Sequence, residues 1–464
     1  MNLVRILIFS ILFHAINLLS QEIPQDFIEY DLLKIYNNSS FENYNNNYFG
    51  PLRLSELGLN NIRDSILNKS KLFSKSSVYY RFGFDINNDA AKAFAYYRFT
   101  YRENFYFFSY PRIVTNSNSL NNYSGVSLDN KRFGFNSGET DISGIGYEND
   151  WIFVQLGRGR QSWGFGENIQ IALSEDSNNY DYFIMGFNYE KFTSRYFHGY
   201  LETLPDNINR YIVGKGITYD KKNIQFGFSE ITIYSGENRN IDFSYLNPLS
   251  SHLEIEYNNR HNGIEKHSGN AIWQISVNYF SNSKLRFSSN FIIDEFKLDK
   301  SDDKNRDDHR YSLSTKGIYS MNIKDNILNI YLSYMFTSKD AFRHQNGANN
   351  FVQRNKPLGN IYGSDSNSFS FGLEYYNKYN FSAEIKLSQL DRGYFSTSSN
   401  PYMNDYSSPE NLSNTSELFI YSKFNWYVKP NISIYNKIQT SYVDHKNHEI
   451  NFKLGVNLFF QTKG

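Results

Sequence analysis

The sequence contains no cysteine, which excludes disulfides, thiolate nucleophiles and cysteine-based metal sites. Its 47 basic and 47 acidic side chains cancel, so there is no basic footprint for nucleic acid. Proline is scarce, 9 in 464 residues, which disfavours a soluble sandwich built on short strands and Pro-rich turns. Beyond the N-terminus no apolar run approaches the roughly 20 residues a membrane helix needs. A serine elbow of the GxSxG kind is absent, and Ser174 is followed by Glu175 and Asp176 with no histidine nearby. These absences leave a non-enzymatic chain that is either soluble or crosses a membrane with strands, and they imply no cofactor or metal.

What is present is aromatic: 39 Tyr and 40 Phe, with Trp bringing the aromatic share to 18%. Such residues suit strands and membrane interfaces. Arg5, the apolar run Ile6 to Leu19 and Ser20 read as a secretory signal peptide over residues 1–20. Residues 21–73 form the least strand-like part. Phe27, Ile28, Leu32, Leu33 and Ile35, then Leu54, Leu57, Ile62 and Ile66, lie at helical spacing and predict a small helical plug or periplasmic segment.

From residue 74 to the end the period becomes two. Tyr80, Phe82, Phe84 and Ile86 alternate with Arg81, Gly83 and Asp85, and the last strand alternates Ile450, Phe452, Leu454, Val456, Leu458 and Phe460 with Asn451, Lys453, Gly455 and Asn457. Long strands with one apolar and one polar face are what a lipid-embedded barrel requires. Tight turns at Glu103-Asn104, Asn149-Asp150, Glu190-Lys191, Lys221-Lys222 and Lys324-Asp325 alternate with long connections at 116–138, 159–180, 261–268, 299–309, 339–367 and 392–414, as periplasmic turns and outer loops should. Parity of the alternation asks for a weak strand over Ile241 to Asn247. The expected fold is all-β: a large antiparallel transmembrane outer-membrane β-barrel of about eighteen strands, or twenty, with a small N-terminal helical segment. Its place is the outer membrane of a Gram-negative-type bacterium, in contact with outer-membrane lipid and lipopolysaccharide.

The densest stretch of unusual residues runs from Trp151 to Ser174. A strand, Trp151 to Leu156, leads into Gly157, Arg158, Gly159, Arg160, Trp163, Gly164 and Gly166. The glycines give the backbone access to positive φ and close approach, and Gly157, Gly164 and Gly166 are expected to shape the loop. No helix or βαβ rhythm follows, so the GxG pair is not a dinucleotide fingerprint. A loop rich in Gly, Arg and Trp suits plugging or lining a barrel better than waving in solvent.

Gly157-Arg158, Trp163-Gly164, Gly166 and Leu173-Ser174 resemble the "GR…WG-G…L-LS" signature of the Wzi capsule assembly proteins. Tyr245-Leu246-Asn247-Pro248, Phe291 to Phe296, and Pro357-Leu358-Gly359 with Gly363-Ser364-Asp365 resemble that family's later landmarks, in order along most of the mature chain. The resemblance implies a barrel of about eighteen strands with a helical N-terminal part, acting as a surface lectin that holds capsular polysaccharide to the cell. Other capsule or polysaccharide export components would be further partners. The loops 339–367 and 392–414, and Gln461 to Gly464 after Phe460, depart from it.

A lectin surface needs aromatic plates for sugar faces and forked donors for charged groups. Arg158, Arg160, Trp163, Arg343, Arg354, Tyr362 and Arg392 are the candidate glycan-binding residues. The competing reading of the same arginines and tryptophan is that they pair with lumen carboxylates and fill the barrel. Asp302-Asp303 with Asp307-Asp308-His309 are interrupted by basic residues and lack EF-hand spacing, and His261 and His267 come without a third ligand. The alternative function is a porin or exporter conducting solutes or glycan through an open lumen.

Overall fold

The computed structural model describes residues 22–38, 48–51, 78–102, 104–120, 123–125, 127–258, 269–281, 284–296, 309–324, 326–377, 381–404, 414–443 and 447–463. The expected signal peptide, the helix over Leu54 to Ile66, His261, His267 and the acidic pairs at 302–308 lie outside the described residues.

Eighteen antiparallel strands close into one barrel. They are β1 Val78–Asn87, β2 Ala91–Tyr101, β3 Phe105–Val114, β4 Ser137–Glu148, β5 Ile152–Gly159, β6 Tyr180–Tyr189, β7 Phe192–Leu204, β8 Ile208–Lys221 and β9 Ile224–Glu237. The second half comprises β10 Asn270–Ser281, β11 Leu285–Phe296, β12 His309–Ile323, β13 Asn326–Thr337, β14 Ser366–Asn377, β15 Phe381–Arg392, β16 Thr415–Lys429, β17 Ile432–Val443 and β18 Asn447–Lys463. β18 returns to β1 in antiparallel register, with Phe460 opposite Phe82 and Leu458 opposite Phe84, so no edge is left unpaired where lipid could not satisfy it. An even count places both ends of the barrel chain on one side.

Alternation decides which face is which. On β1, Phe82, Phe84 and Ile86 are exposed outward while Tyr79 and Arg81 are buried inward; on β18, Ile450, Phe452, Leu454 and Phe460 repeat the outward belt. The tight turns are made by residues in the left-handed region, Arg102, Glu190, Lys222 and Lys324, as two-residue hairpins demand.

The strand expected over Ile241 to Asn247 is not one. Phe243–Leu246 is a 3-10 turn whose Asp242 side chain accepts from the Ser244 N–H, and the chain goes on into α2, His252–Tyr257. A short polar-capped helical turn wins because Asp242 and Pro248 flank too few residues for a span. With that strand removed, β9 pairs directly with β10 and the parity still holds at eighteen.

Inside the barrel, helix α1, Ile28–Asn37, presses Leu32 and Ile35 against Ile327 and Tyr376 of the inner wall. Glu29 pairs with the buried Arg81 at 2.8 Å, whose guanidinium also lies over the Phe459 and Phe27 rings. Just before the helix, Asp26 takes Lys92 at 2.7 Å and the Tyr110 hydroxyl at 2.9 Å. Burial alone would raise the Asp26 carboxyl, but Lys92 and Arg112 outweigh it and hold the group down at about 2.

Candidate functional site

The stretch from Arg160 to Asn179, between β5 and β6, turns into the lumen. Ser162 and Trp163 form a two-residue ladder with Phe49 and Gly50 of the N-terminal segment. Trp163 is fully buried, edge-on to Phe49 at 5.0 Å and to the inward Phe197 at 5.1 Å. Across the lumen Asn290 of β11 accepts from the Phe165 N–H at 2.9 Å and donates to the Phe165 carbonyl at 2.8 Å. Ser314 and Lys316 of β12 donate to the carbonyls of Ile169 and Glu167. The loop thus spans from one wall to the other.

Glycine makes that crossing feasible. Gly164 and Gly166 sit at φ of 125° and 85°, and a Cβ on Gly164 would meet Asn290 Oδ1 at 2.7 Å. On Gly157 it would meet the Ser143 carbonyl of the neighbouring strand at 2.4 Å.

Charged groups of the lumen filling pair with one another. Arg160 is buried and spent on Asp141 at 2.7 Å, Gln25 and the Ser177 carbonyl. Lys34 of α1 pairs with Glu175 and lies 3.8 Å from Glu167. Burial would lower the Lys34 ammonium, yet these two carboxylates raise it above the ordinary lysine range. Burial raises the Glu167 and Asp176 carboxyls. The Ser174 hydroxyl donates to the Gly359 carbonyl at 2.6 Å.

Arg158 differs from its neighbour two residues on. It ends β5 on the outward face, with Asp181 at 3.2 Å, the Asn179 side chain at 3.1 Å and the Thr140 carbonyl at 3.1 Å around it.

The connections 338–365 and 393–404 meet at the outer rim. Arg343, buried, donates to the carbonyls of Met403 at 2.7 Å, Asn400 at 3.1 Å and Phe395. Asn350 adds bonds to the carbonyls of Pro401 and Met403, and Ser364 and Thr397 exchange backbone-to-hydroxyl bonds. Arg343 is therefore a post between two loops, with no face turned to solvent.

Beside that post opens a cavity of about 490 Å³, lined by Tyr311 and Phe336 from the outward face of β12 and β13, with Lys339, Asp340, Asp365, Asp391 and Arg392 among its polar lining. Arg392 is held by Glu417 at 2.9 Å. Lys339 is exposed with its ammonium 4.6 Å from the Phe395 ring centre. Ser416 donates to Asp391 at 2.7 Å. Burial raises the Asp365 carboxyl although Lys339 beside it acts the other way. A mixed set of carboxylates, cations and amides around aromatic walls can hold hydroxyls and charged groups together.

Arg354 is exposed at a separate place on the rim. Glu202 organises it, accepting from the Arg354 backbone N–H at 3.1 Å, the Tyr402 hydroxyl at 2.7 Å and Arg210 at 2.6 Å. Burial and the bond to Glu202 push the Tyr402 phenol up to about 12. Tyr362 is half-buried, its carbonyl taking the Ser396 and Ser398 hydroxyls.

The structure thus brings Arg392, Tyr362 and Arg343 into one loop cluster, sets Arg354 and Arg158 apart, and sinks Arg160 and Trp163 into the lumen. Sequence reasoning passed over Lys339, Asp340, Asp365 and Asp391. The available signal was the bracketing of the cavity by two loops already singled out as this chain's own. Glu202 carried no local signal, being joined to Arg354 only by the fold.

No protein-family model matches the chain, and no curated protein does. Among solved structures it is similar to Wzi of Escherichia coli, described as an outer membrane protein involved in group 1 capsule assembly and a carbohydrate-binding β-barrel. That likeness has a TM-score of 0.64 at 11% identity, over 96% of this chain and 99% of that one. OprD of Pseudomonas aeruginosa follows at a TM-score of 0.44, 8% identity, and 84% and 96% of the two chains. OccAB4 of Acinetobacter baumannii has a TM-score of 0.45 at 9% identity, over 84% and 99%. The last two are too loose to bear on function, and at 11% identity the first is a likeness of fold. The chain is an eighteen-stranded outer-membrane β-barrel with the fold of Wzi.

Proposed function

We propose that this barrel binds and retains surface polysaccharide at its outer rim, without catalysing a reaction. The observation that carries the reading is the pairing of a lumen entered by α1 and crossed by the 160–179 loop with a polar cavity of about 490 Å³ at the rim. A porin needs the first space open, whereas a lectin needs the second. Arg392 and Lys339 supply charge for anionic sugars, Asp340, Asp365 and Asp391 accept from hydroxyls, and Tyr311 and Phe336 offer apolar faces. The carbohydrate binding of Wzi, on the same fold, points the same way. Arg354 and Tyr362 extend the surface on the same side. Arg158 does so through its exposed ion pair. Arg160, Trp163 and Arg343 serve it as supports.

The test compares cells with the gene intact, deleted, or carrying Lys339→Ala with Arg392→Ala, at matched barrel abundance. Deletion should release polysaccharide into the medium, and the double substitution should reproduce the release. Unchanged retention after deletion overturns the proposal. Stable large conductance of the purified barrel in planar bilayers would instead support the transport reading.

A further inference from the structure

The connection between β9 and β10 folds down over the outside of the barrel wall. Phe197, Ile212 and Ile233 point inward on β7, β8 and β9, as the contact of Phe197 with Trp163 fixes. Tyr196, Tyr211, Val213 and Tyr234, one position away, therefore point outward, yet all are buried. What buries them is Tyr245 of the 3-10 turn and Ile255 of α2. Tyr245 stacks on Tyr234 at 4.6 Å and 7°, and its carbonyl takes the Tyr196 hydroxyl at 2.9 Å.

Beneath the same segment lies an outward charged pair, Lys215 and Glu230, at 3.4 Å. Glu230 also accepts from the His252 N–H at 3.0 Å and the Trp273 indole at 3.1 Å, and Lys215 donates to the Ser250 carbonyl. Such a pair facing hydrocarbon bare would be costly. Covered this way, it is satisfied.

The side of the segment that faces away from the wall exposes large apolar residues, beside the polar Asn247, Ser251 and Asn258 and the half-buried Glu254 and Glu256. In α2, His252 and Ile255 are buried against the barrel, while Leu253 and Tyr257, one helical turn apart, are exposed at 43% and 83%. Phe243 and Leu249 add 74% and 92%. Directly below, on the same wall, Ile217, Phe226, Phe228 and Ile275 form the exposed apolar belt, so the segment continues a surface that lipid already covers.

We infer that residues 241–257 form a membrane-embedded cover whose outer face, Phe243, Leu249, Leu253 and Tyr257, contacts the acyl chains of the surrounding lipid. The segment replaces the lipid-facing wall at this sector and hides the polar pair from hydrocarbon. Its backbone can lie there because its turns are capped by Asp242 and Ser251.

The absence of native cysteine makes single cysteines unique labelling sites. Spin labels at Leu249→Cys, Leu253→Cys and Tyr257→Cys are compared with Phe228→Cys in the belt and Asn404→Cys in an exposed outer loop. The barrel is reconstituted in phosphatidylcholine–phosphatidylglycerol vesicles, and collision rates with oxygen and with a water-soluble nickel chelate are read. The oxygen-to-chelate ratio at the three positions should match that at Phe228 and exceed that at Asn404 severalfold. A ratio like that at Asn404 overturns the inference in favour of water. Loss of access to both reagents overturns it in favour of a second copy or another protein on this face. If Leu253→Cys does not fold, positions 249 and 257 read the same face.

Discussion

Two groups of outer connections use the same residue types in opposite ways. The 160–179 connection turns inward, and its Arg160 and Trp163 vanish into the lumen among Asp141, Phe49 and Phe197. In the connections 338–365 and 393–404 Arg343 is sunk among carbonyls, whereas Arg392 and Lys339 line an open cavity. The difference is set by partners. Wherever a carboxylate or a row of carbonyls can be reached inside, burying the guanidinium is tolerated; where the ring of strands ends, the arginine keeps solvent on one side. An arginine in an outer loop is thus a support or a binding group according to how much of its fork the protein itself uses.

Changes in the first group should cost stability and leave the rim's chemistry intact. Trp163→Ala removes a fully buried side chain and is expected to lower stability by about 3–5 kcal/mol. Denaturant titration of the detergent-solubilised barrel would read it, and a loss within error of zero would mean the loop is not part of the packed interior. Glu29→Gln strands Arg81 between aromatic rings. It should cost about 3 kcal/mol or more and make the N-terminal segment cleavable by protease while the barrel itself resists.

At the boundary between the groups, Arg343→Ala removes a buried cation that bonds three carbonyls. Limited proteolysis should then cut within 393–404, and polysaccharide retention should fall through loss of loop order. Arg343→Lys, lacking the fork, should rescue little of it. In the second group, Arg392→Ala should weaken polysaccharide binding about tenfold, on the order of 1.4 kcal/mol, with denaturation unchanged. If both readouts moved together, the separation between supports and binding groups would collapse.

The smallest expected effect is on pH. Asp26 is depressed in the folded chain from 3.8 to about 2, so the stability it contributes is complete above the unfolded value. It is lost as pH falls through about 2, because protonation there breaks the contacts with Lys92 and Arg112. Between those two values, stability of the intact protein should decline more steeply than that of Asp26→Asn.

The barrel was legible because alternation of two is forced on every lipid-facing strand, and β1 and β18 display it residue by residue. The inward course of the 160–179 loop was foreshadowed by Gly164 and Gly166, whose positive φ few other residues would adopt. The segment at 241–247 misled because its residues are apolar and aromatic, as a strand's are. Phe243 and Tyr245 point to opposite surroundings, lipid-side and wall-side, while the backbone turns. The cavity was not legible, because Lys339, Asp365 and Asp391 belong to different elements and only the register of β13, β14 and β15 sets them side by side. Nor could spacing tell that Arg343 would be buried while Arg392 would not, since that depends on carbonyls about 50–60 residues away.

The measurement closest to the central claim is calorimetric titration of the purified barrel with polysaccharide isolated from the same cells, for the intact protein and for Lys339→Ala with Arg392→Ala. Saturable binding by the intact barrel, weakened at least about tenfold by the double substitution at unchanged fold, is the expected result. Equal binding by both proteins, or none by the intact one, would contradict a rim site for polysaccharide.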